Sequence, residues 1–204
     1  MDKNIKNIVF DLGGVLLNLN FSKAVNAFKK AGFEDVEEQI KAFNHQGIFH
    51  QFETGHITPD EFRSAIRENA KVSLTDREID EMWNLMLLDI PREKLELLLE
   101  LRGKYMIYLL SNTNAIHWDY VCKNVFNYHG FRVKDYFEET FLSFEMHLAK
   151  PGKAIFEKML EDANLLPKET LFIDDSEANC KAAEEVGIHA HHYHMGDDLK
   201  EIFE

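Results

Sequence analysis

An apolar run that ends in an acidic residue and two glycines most constrains the fold of this chain. Residues 8–10 are Ile-Val-Phe, Asp11 follows them directly, and Gly13 and Gly14 come next but one. This order is typical of a buried parallel strand that leads into a tight turn. Because ligands of open α/β sheets bind at the carboxyl ends of the strands, Asp11 is a candidate for chemistry. The simpler alternative is an aspartate that only caps the next helix.

Strand and helix patterns alternate along most of the remaining chain. Apolar runs near residues 105–110, 140–143, 171–173 and 188–193 predict strands, and helical periodicities separate them. Such alternation predicts an α/β fold, with a Rossmann-like open parallel sheet and helices on both faces.

A block of purely helical patterns interrupts this alternation after the first strand. Within it, Thr58 and Thr75 each begin a capping box, with a glutamate three residues later. We therefore expect an all-helical cap domain at residues 19–90, inserted into an α/β core domain formed by residues 1–18 and 91–204.

Charge and composition exclude several classes of partner. The chain has 204 residues and a formal net charge of −13, which argues against nucleic acid or an anionic membrane as partner. We find no apolar run of the roughly 18 residues that a membrane span needs, and no secretory signal pattern. The two cysteines, Cys122 and Cys180, favour reduced thiols in a cytoplasmic protein.

Polar residues follow four predicted strands or their adjoining loops: Asp11, Ser111 with Asn112, Lys150, and Asp174 with Asp175. Carboxylates of Asp11 and Asp175 in one site are costly unless a cation neutralises them, and hard oxygen ligands suit Mg²⁺, which also binds phosphate. Lys150 offers a positive charge and Ser111 a hydroxyl group to the same phosphate oxygens. A carboxylate that attacks phosphorus and becomes an aspartyl-phosphate fits this set.

Each of these groups also has an ordinary structural explanation. Residues 111–113 fit simple turn chemistry after a strand, Lys150 fits a solvated surface residue, and Asp174 with Asp175 fits a helix N-cap. Dense histidines at residues 189–194 are better explained by an edge strand than by a metal site. In the cap, His45, His50 and His56 fit surface or packing roles better than substrate contact.

Four motifs in order resemble those of the haloacid dehalogenase-like hydrolase superfamily. Residues 11–15 resemble its first motif, 110–113 its second, 150–151 its third and 172–176 its fourth. The helical insertion after the first motif is similar to the family's first type of cap (C1), so the likeness spans the chain. Residues 55–62 and 110–114, together with the paired aspartates of the fourth motif, are similar to the branch that includes bacterial glucose-1-phosphate phosphatases and the N-terminal domain of soluble epoxide hydrolases.

The resemblance implies a Mg²⁺-dependent phosphatase that acts on a small phosphorylated metabolite, preferably a sugar phosphate, through an aspartyl-phosphate. It implies that Asp11 is the nucleophile and a metal ligand, with the Gly13 backbone carbonyl and Asp175 as further metal ligands. Ser111 and Asn112 would bind the phosphate. Lys150 would stabilise the nucleophile and the phosphoryl group, and Asp174 would support the metal site.

Gly13 departs from the family pattern. Most phosphatases of the family carry there a second aspartate that protonates the leaving group, and such catalysis is typically worth about 10²–10⁴-fold. The departure implies a slow enzyme, a substitute such as Asn18, His56 or a substrate hydroxyl group, or a protein without catalysis. It argues against a phosphomutase, although the sugar-phosphatase branch also carries glycine at this position.

Three alternatives to the phosphatase remain at this point. A catalytically weak or inactive protein that binds a phosphometabolite or another protein is supported by Gly13. A 2-haloacid dehalogenase needs no metal, and the pair Asp174 and Asp175 would then stay unneutralised. A phospho-receiver module places its acidic pair first and has no helical insertion. The substrate and the oligomeric state cannot be read from the sequence.

Overall fold

A five-stranded parallel sheet forms the centre of the protein. The computed structural model describes residues 3–41 and 47–204. The strands are β1 (Asn7–Phe10), β2 (Met106–Ser111), β3 (Glu139–Leu142), β4 (Thr170–Asp174) and β5 (His189–His192), in the order β3-β2-β1-β4-β5. Phe10 of the central strand pairs with Leu109 on one side and Ile173 on the other. The carboxyl ends of β1, β2 and β4 therefore meet at one edge.

Helices pack on both faces of this sheet, which confirms the predicted α/β architecture. They are α6 (Arg92–Leu101), α7 (Ala115–Tyr120), α8 (Val133–Tyr136), α9 (Ser143–Met146), α10 (Lys153–Asp162) and α11 (Glu177–Glu185). Alternate residues of a strand point to opposite faces. Ile8 and Phe10 accordingly join one hydrophobic cluster, whereas Val9 joins a second one with residues of α10 and α11.

The segment between β1 and α6 is helical, as its sequence patterns predict. It contains α1 (Phe21–Lys30), α2 (Val36–Lys41), α3 (Ile48–Glu53), α4 (Pro59–Asn69) and α5 (Asp76–Asn84). Both predicted capping boxes are present, at Thr58 with Glu61 and at Thr75 with Glu78. Trp83 of α5 lies at the centre of an aromatic cluster, with ring centroids of Phe49 5.1 Å and of Phe62 5.8 Å away.

The chain enters and leaves this helical segment at one place. Asn18 N donates to Asp89 O at 2.9 Å, and Leu88 N donates to Asn18 O at 3.0 Å. The segments by which the chain enters and leaves the helical segment are thus hydrogen-bonded to each other. The domain boundaries expected from the sequence, after residues 18 and 90, lie beside this pairing.

Two short helical segments of the core domain are not α-helical. A π-helical turn, Val121–Val125, directly follows α7, and Leu199–Phe203 form a 3₁₀-helix. In the part of the chain that the structure describes, we find no helix long and apolar enough to cross a membrane.

Candidate active site

Lys150 lies at the centre of the polar residues at the strand ends. Its ammonium group is 2.8 Å from Asp11 Oδ1, 2.7 Å from Asp174 Oδ2 and 2.9 Å from the Leu110 carbonyl oxygen. An ammonium group has three N–H donors, so these contacts use all of them. Because the Lys150 side chain is almost fully buried, the solvated surface role considered for it is wrong.

Asp174 is fully buried and saturated with hydrogen bonds. Its Oδ1 accepts from Ser176 N at 2.8 Å and from Asn179 Nδ2 at 2.9 Å, while Oδ2 accepts from Lys150. These donors compensate the cost of burying the carboxylate. The side chain therefore fixes Lys150 in place, and through Lys150 it orients Asp11.

Asn112 contacts the backbone of Lys150. Its Nδ2 donates to Lys150 O at 2.9 Å, and its Oδ1 accepts from Lys150 N at 3.0 Å. The side-chain amide of Asn112, a residue predicted to bind phosphate, is thus engaged in positioning the loop of Lys150. The neighbouring Ser111 is buried at the end of β2, with Oγ 3.5 Å from Asn112 O.

Asp175 approaches the first loop of the site closely. A β-carbon at Gly14, whose φ is +79°, would lie 2.2 Å from Asp175 Oδ2. The absence of a side chain at Gly14 thus makes room for this carboxylate. Asp175 is exposed, unlike its neighbour Asp174.

Asp11, Asp174 and Asp175 form an acidic cluster. Each offers a carboxylate oxygen, and these oxygens lie within 4.8 Å of one another. In the described ranges, this is the one such group of three or more Asp, Glu, His or Cys residues. The histidines of β5 accordingly form no such group, and β5 is an edge strand as predicted.

The electrostatics of the cluster suit a divalent cation. Burial raises the pKa of Asp11 to about 7, against the opposing charge of Lys150 and with further help from Asp174. Burial and the charge of Asp174 also raise the pKa of Asp175. Burial acts to lower the pKa of Lys150, but its two carboxylate partners outweigh burial and raise it. A single ammonium group therefore undercompensates three carboxylates, and Mg²⁺ with oxygen ligands fits the remaining charge.

Glu53, at the end of α3, is a site residue that the sequence patterns did not reveal. Its side chain is buried, and burial together with the charge of Asp11 raises its pKa to about 8, with Lys150 acting in the opposite direction. We find no hydrogen-bond partner for its carboxyl group within residues 3–41 and 47–204. A buried and unpartnered carboxyl group favours its neutral, protonated form.

The segment from Glu53 to Gly55 is attached to the core. Ser143 Oγ is 2.7 Å from Glu53 O and 2.9 Å from Thr113 N, so it joins the cap to the loop after β2. A β-carbon at Gly55 would lie 2.0 Å from Phe144 O, which shows how closely the two backbones approach. These contacts hold the end of α3 against α9 and, through Ser143, against the loop after β2.

The residues considered as substitutes at Gly13 have other contacts. Asn18 Nδ2 donates to Asp89 Oδ1 at 3.4 Å, and the exposed His56 has Nδ1 2.7 Å from Thr54 Oγ1. His50 is half-buried in α3, and His45 lies outside the described residues. Gly13 lies two residues after Asp11 in the sequence.

Comparison with known proteins relates this chain to a family of hydrolases. Residues 5–187 match the family described as haloacid dehalogenase-like hydrolase. The chain is 35% identical over 197 residues to D-ribitol-5-phosphate phosphatase of Bacteroides thetaiotaomicron, covering 97% of this chain and 96% of the relative.

Two solved structures have the same fold along nearly their whole length. A HAD family enzyme from B. thetaiotaomicron, crystallised with magnesium and inorganic phosphate, is 54% identical, with a TM-score of 0.93 and coverage of 98% of this chain and 100% of the other. A HAD-like family hydrolase from Porphyromonas gingivalis is 34% identical, with a TM-score of 0.90 and coverage of 98% and 96%. Together with the family match, they show that this chain belongs to the haloacid dehalogenase-like hydrolases.

Proposed function

We propose that this protein is a Mg²⁺-dependent phosphatase that hydrolyses a small phosphorylated metabolite, with a sugar or sugar-alcohol phosphate favoured. The observation that carries the proposal is Asp11, a buried carboxylate fixed by Lys150 at the edge of an acidic cluster. The similarity to a D-ribitol-5-phosphate phosphatase supports the substrate class. The magnesium and phosphate bound to a 54% identical enzyme support the metal and the phosphoryl group.

Within this proposal, Asp11 is the nucleophile. Asp11, Asp175 and the backbone carbonyl of Gly13 would hold the metal, and Asp174 supports the site through Lys150. Ser111 binds the phosphoryl oxygens, whereas Lys150, whose donors are engaged by protein groups, acts on these oxygens through its positive charge. Since the Asn112 amide is already bonded to the Lys150 backbone, we assign its side chain a positioning role and leave phosphate contact to its backbone.

The reaction then proceeds in two steps. Asp11 attacks phosphorus, the bond to the ester oxygen breaks, and an aspartyl-phosphate forms on Asp11. Water next attacks this phosphorus and restores the free Asp11 carboxylate. Lys150 holds Asp11 in one orientation and places positive charge beside the transferring group, which stabilises the transition state more than the ground state. A bound Mg²⁺ supplies further positive charge to the phosphoryl oxygens.

The expected division into core and cap gives each part a task. We propose that residues 1–18 and 91–204 carry the nucleophile and the metal site, whereas residues 19–90 cover the site and select the substrate. The free thiols of Cys122 and Cys180 support a cytoplasmic location of the protein. The acidic net charge supports a metabolite as partner rather than nucleic acid or a membrane.

A phosphate-release panel tests this function. Purified protein is assayed with and without Mg²⁺ on sugar phosphates, sugar-alcohol phosphates, nucleotides and phosphorylated cofactors. We expect Mg²⁺-dependent release, abolished in Asp11→Asn, which removes the nucleophile but keeps the shape. Asp162→Asn, an exposed carboxylate on α10, is the matched control and keeps full activity. Release that persists in Asp11→Asn contradicts the nucleophile assignment, and no release from any ester contradicts the function.

A further inference from the structure

Release of a sugar alcohol from a phosphate ester needs a proton donor. The departing oxygen is a poor leaving group as an alkoxide, and a positioned acid lowers this barrier. Gly13 contributes no side chain beside Asp11. Lys150 has all three N–H donors engaged, on Asp11, Asp174 and the Leu110 carbonyl.

Asp174 is unsuited to this task as well. It is fully buried behind Lys150, and its oxygens accept hydrogen bonds from Ser176, Asn179 and Lys150. Donors on both oxygens favour the ionised carboxylate, which has no proton to give. Asp175 is exposed and directed toward the loop of Gly14, where the metal would lie.

Glu53 has the properties that these groups lack. Its side chain is largely buried, and we find no hydrogen-bond partner for its carboxyl group in the described part of the chain. Its backbone carbonyl is joined through Ser143 Oγ to Thr113 N in the loop after β2, which places Glu53 beside the proposed phosphate-binding loop. The contacts of its backbone with Ser143, and of Gly55 with Phe144, attach it rigidly to the core.

We propose that Glu53 is the catalytic acid and base of this phosphatase, a role that rests on the function proposed above. In the first step the bond between phosphorus and the ester oxygen breaks, its electron pair stays on that oxygen, and the Glu53 proton moves to it. In the second step water attacks the phosphorylated Asp11, and its proton returns to the Glu53 carboxylate. One ester and one water thus give one alcohol and one inorganic phosphate. Burial of the Glu53 side chain favours the protonated form of its carboxyl group, which supplies the proton of the first step.

Leaving-group dependence separates this role from a structural one. p-Nitrophenyl phosphate releases a stable anion that needs no acid, whereas an alkyl ester such as D-ribitol 5-phosphate needs the proton. In Glu53→Gln, we expect kcat for the alkyl ester to fall by about 10²–10⁴-fold. With p-nitrophenyl phosphate, we expect a fast burst of one p-nitrophenol per protein molecule and then slow turnover, because the aspartyl-phosphate lacks its base.

Further variants distinguish a failure of the role proposed for Glu53 from a failure of the proposed phosphatase function. Glu53→Asp keeps a carboxyl group and should recover part of the alkyl-ester activity, whereas Asp11→Asn should show no burst. The inference is overturned if Glu53→Gln hydrolyses alkyl esters at the wild-type rate, or if it loses the burst and the alkyl-ester activity to the same extent. A wild-type protein that releases no phosphate from any ester refutes the proposed function instead. Thermal unfolding of Glu53→Gln verifies that the variant is folded.

Discussion

Gly14 and Asp175 are in contact so close that any side chain at residue 14 would strike the carboxylate. A β-carbon there would lie 2.2 Å from Oδ2 and 2.6 Å from Cγ of Asp175, and the backbone of Gly14 has a φ of +79°. The substitution Gly14→Ala therefore combines a collision with a strained backbone, and Asp175 must leave its place.

We expect Gly14→Ala to weaken Mg²⁺ binding by about 10–100-fold, the usual cost of disturbing the support of a metal ligand. Calorimetric titration with MgCl₂ measures this. Gly130→Ala is the matched control, because Gly130 has a similar φ of +84° and its β-carbon would meet nothing within 4 Å. Equal losses of affinity in both variants would contradict the role given to Asp175.

Lys150 stabilises the fold as well as the reaction. The substitution Lys150→Met leaves Asp11 and Asp174 buried without their shared cation, which typically costs about 3–5 kcal/mol. Urea unfolding without metal should show this loss, and Mg²⁺ should restore part of it. Lys158→Met, which breaks an exposed pair with Asp162, should change the free energy of unfolding by less than about 0.5 kcal/mol. If Lys150→Met without metal has the free energy of unfolding of the wild-type protein, the carboxyl groups of Asp11 and Asp174 are neutral in that variant.

Mg²⁺ binding should release a proton near neutral pH. Without metal, the pKa of Asp11 is about 7, so below pH 7 most molecules carry a proton that a bound cation must displace. Affinity should therefore rise with pH up to about 7 and then level off. Calorimetry in buffers of different ionisation enthalpy counts the protons released. Asp11→Asn should show a weaker affinity and no such release; an unchanged release would assign the proton to another group.

His117 should make the protein less stable in mild acid. Its ring is buried against Trp83, with Nε2 3.3 Å from the Trp83 carbonyl oxygen, and burial lowers its pKa to about 3. Above about pH 6.5 the ring is neutral in both states and contributes nothing to the pH dependence. As pH falls from there toward 3, the unfolded chain binds a proton that the folded protein refuses, so stability falls by about 1.4 kcal/mol for each pH unit.

Urea unfolding at several pH values between 6.5 and 4.5 measures this slope. In His117→Gln the slope should become shallower by the contribution of one group, although the variant is less stable at every pH. His194→Gln, which alters an exposed ring, should keep the wild-type slope. An unchanged slope in His117→Gln would show that its ring takes up the proton in the folded state as well.

Local signals were sufficient for most of the fold. Thr58 and Thr75 determine their helix starts through side chains three residues away, and these pairs are visible in the sequence. The strands ending before Asp11 and at Asp174 are buried on both faces, so their apolar runs are continuous. A π-helical turn such as Val121–Val125 has no comparable pattern, because it differs from an α-helix only in how the backbone closes its hydrogen bonds.

The site was predictable only in part, because local sequence patterns do not reveal contacts between residues that are far apart in the chain. Asp11 directly follows β1 and Asp174 ends β4, which pairs with β1, so the meeting of these two residues follows from the sheet. Glu53 reads as the polar end of a short helix, and it is buried through a contact with Ser143, 90 positions away. The Asn112 amide likewise bonds to Lys150, 38 positions away, which no local pattern reveals.

The hydrogen-bonded pairing of Asn18 with Leu88 and Asp89 has a consequence for how much the segment between these residues can vary. Since both ends of the intervening segment stand next to each other, lengthening, shortening or exchanging that segment leaves the strand order and register untouched. The segment is therefore replaceable as a unit without change to the strands that position Asp11 and Asp174.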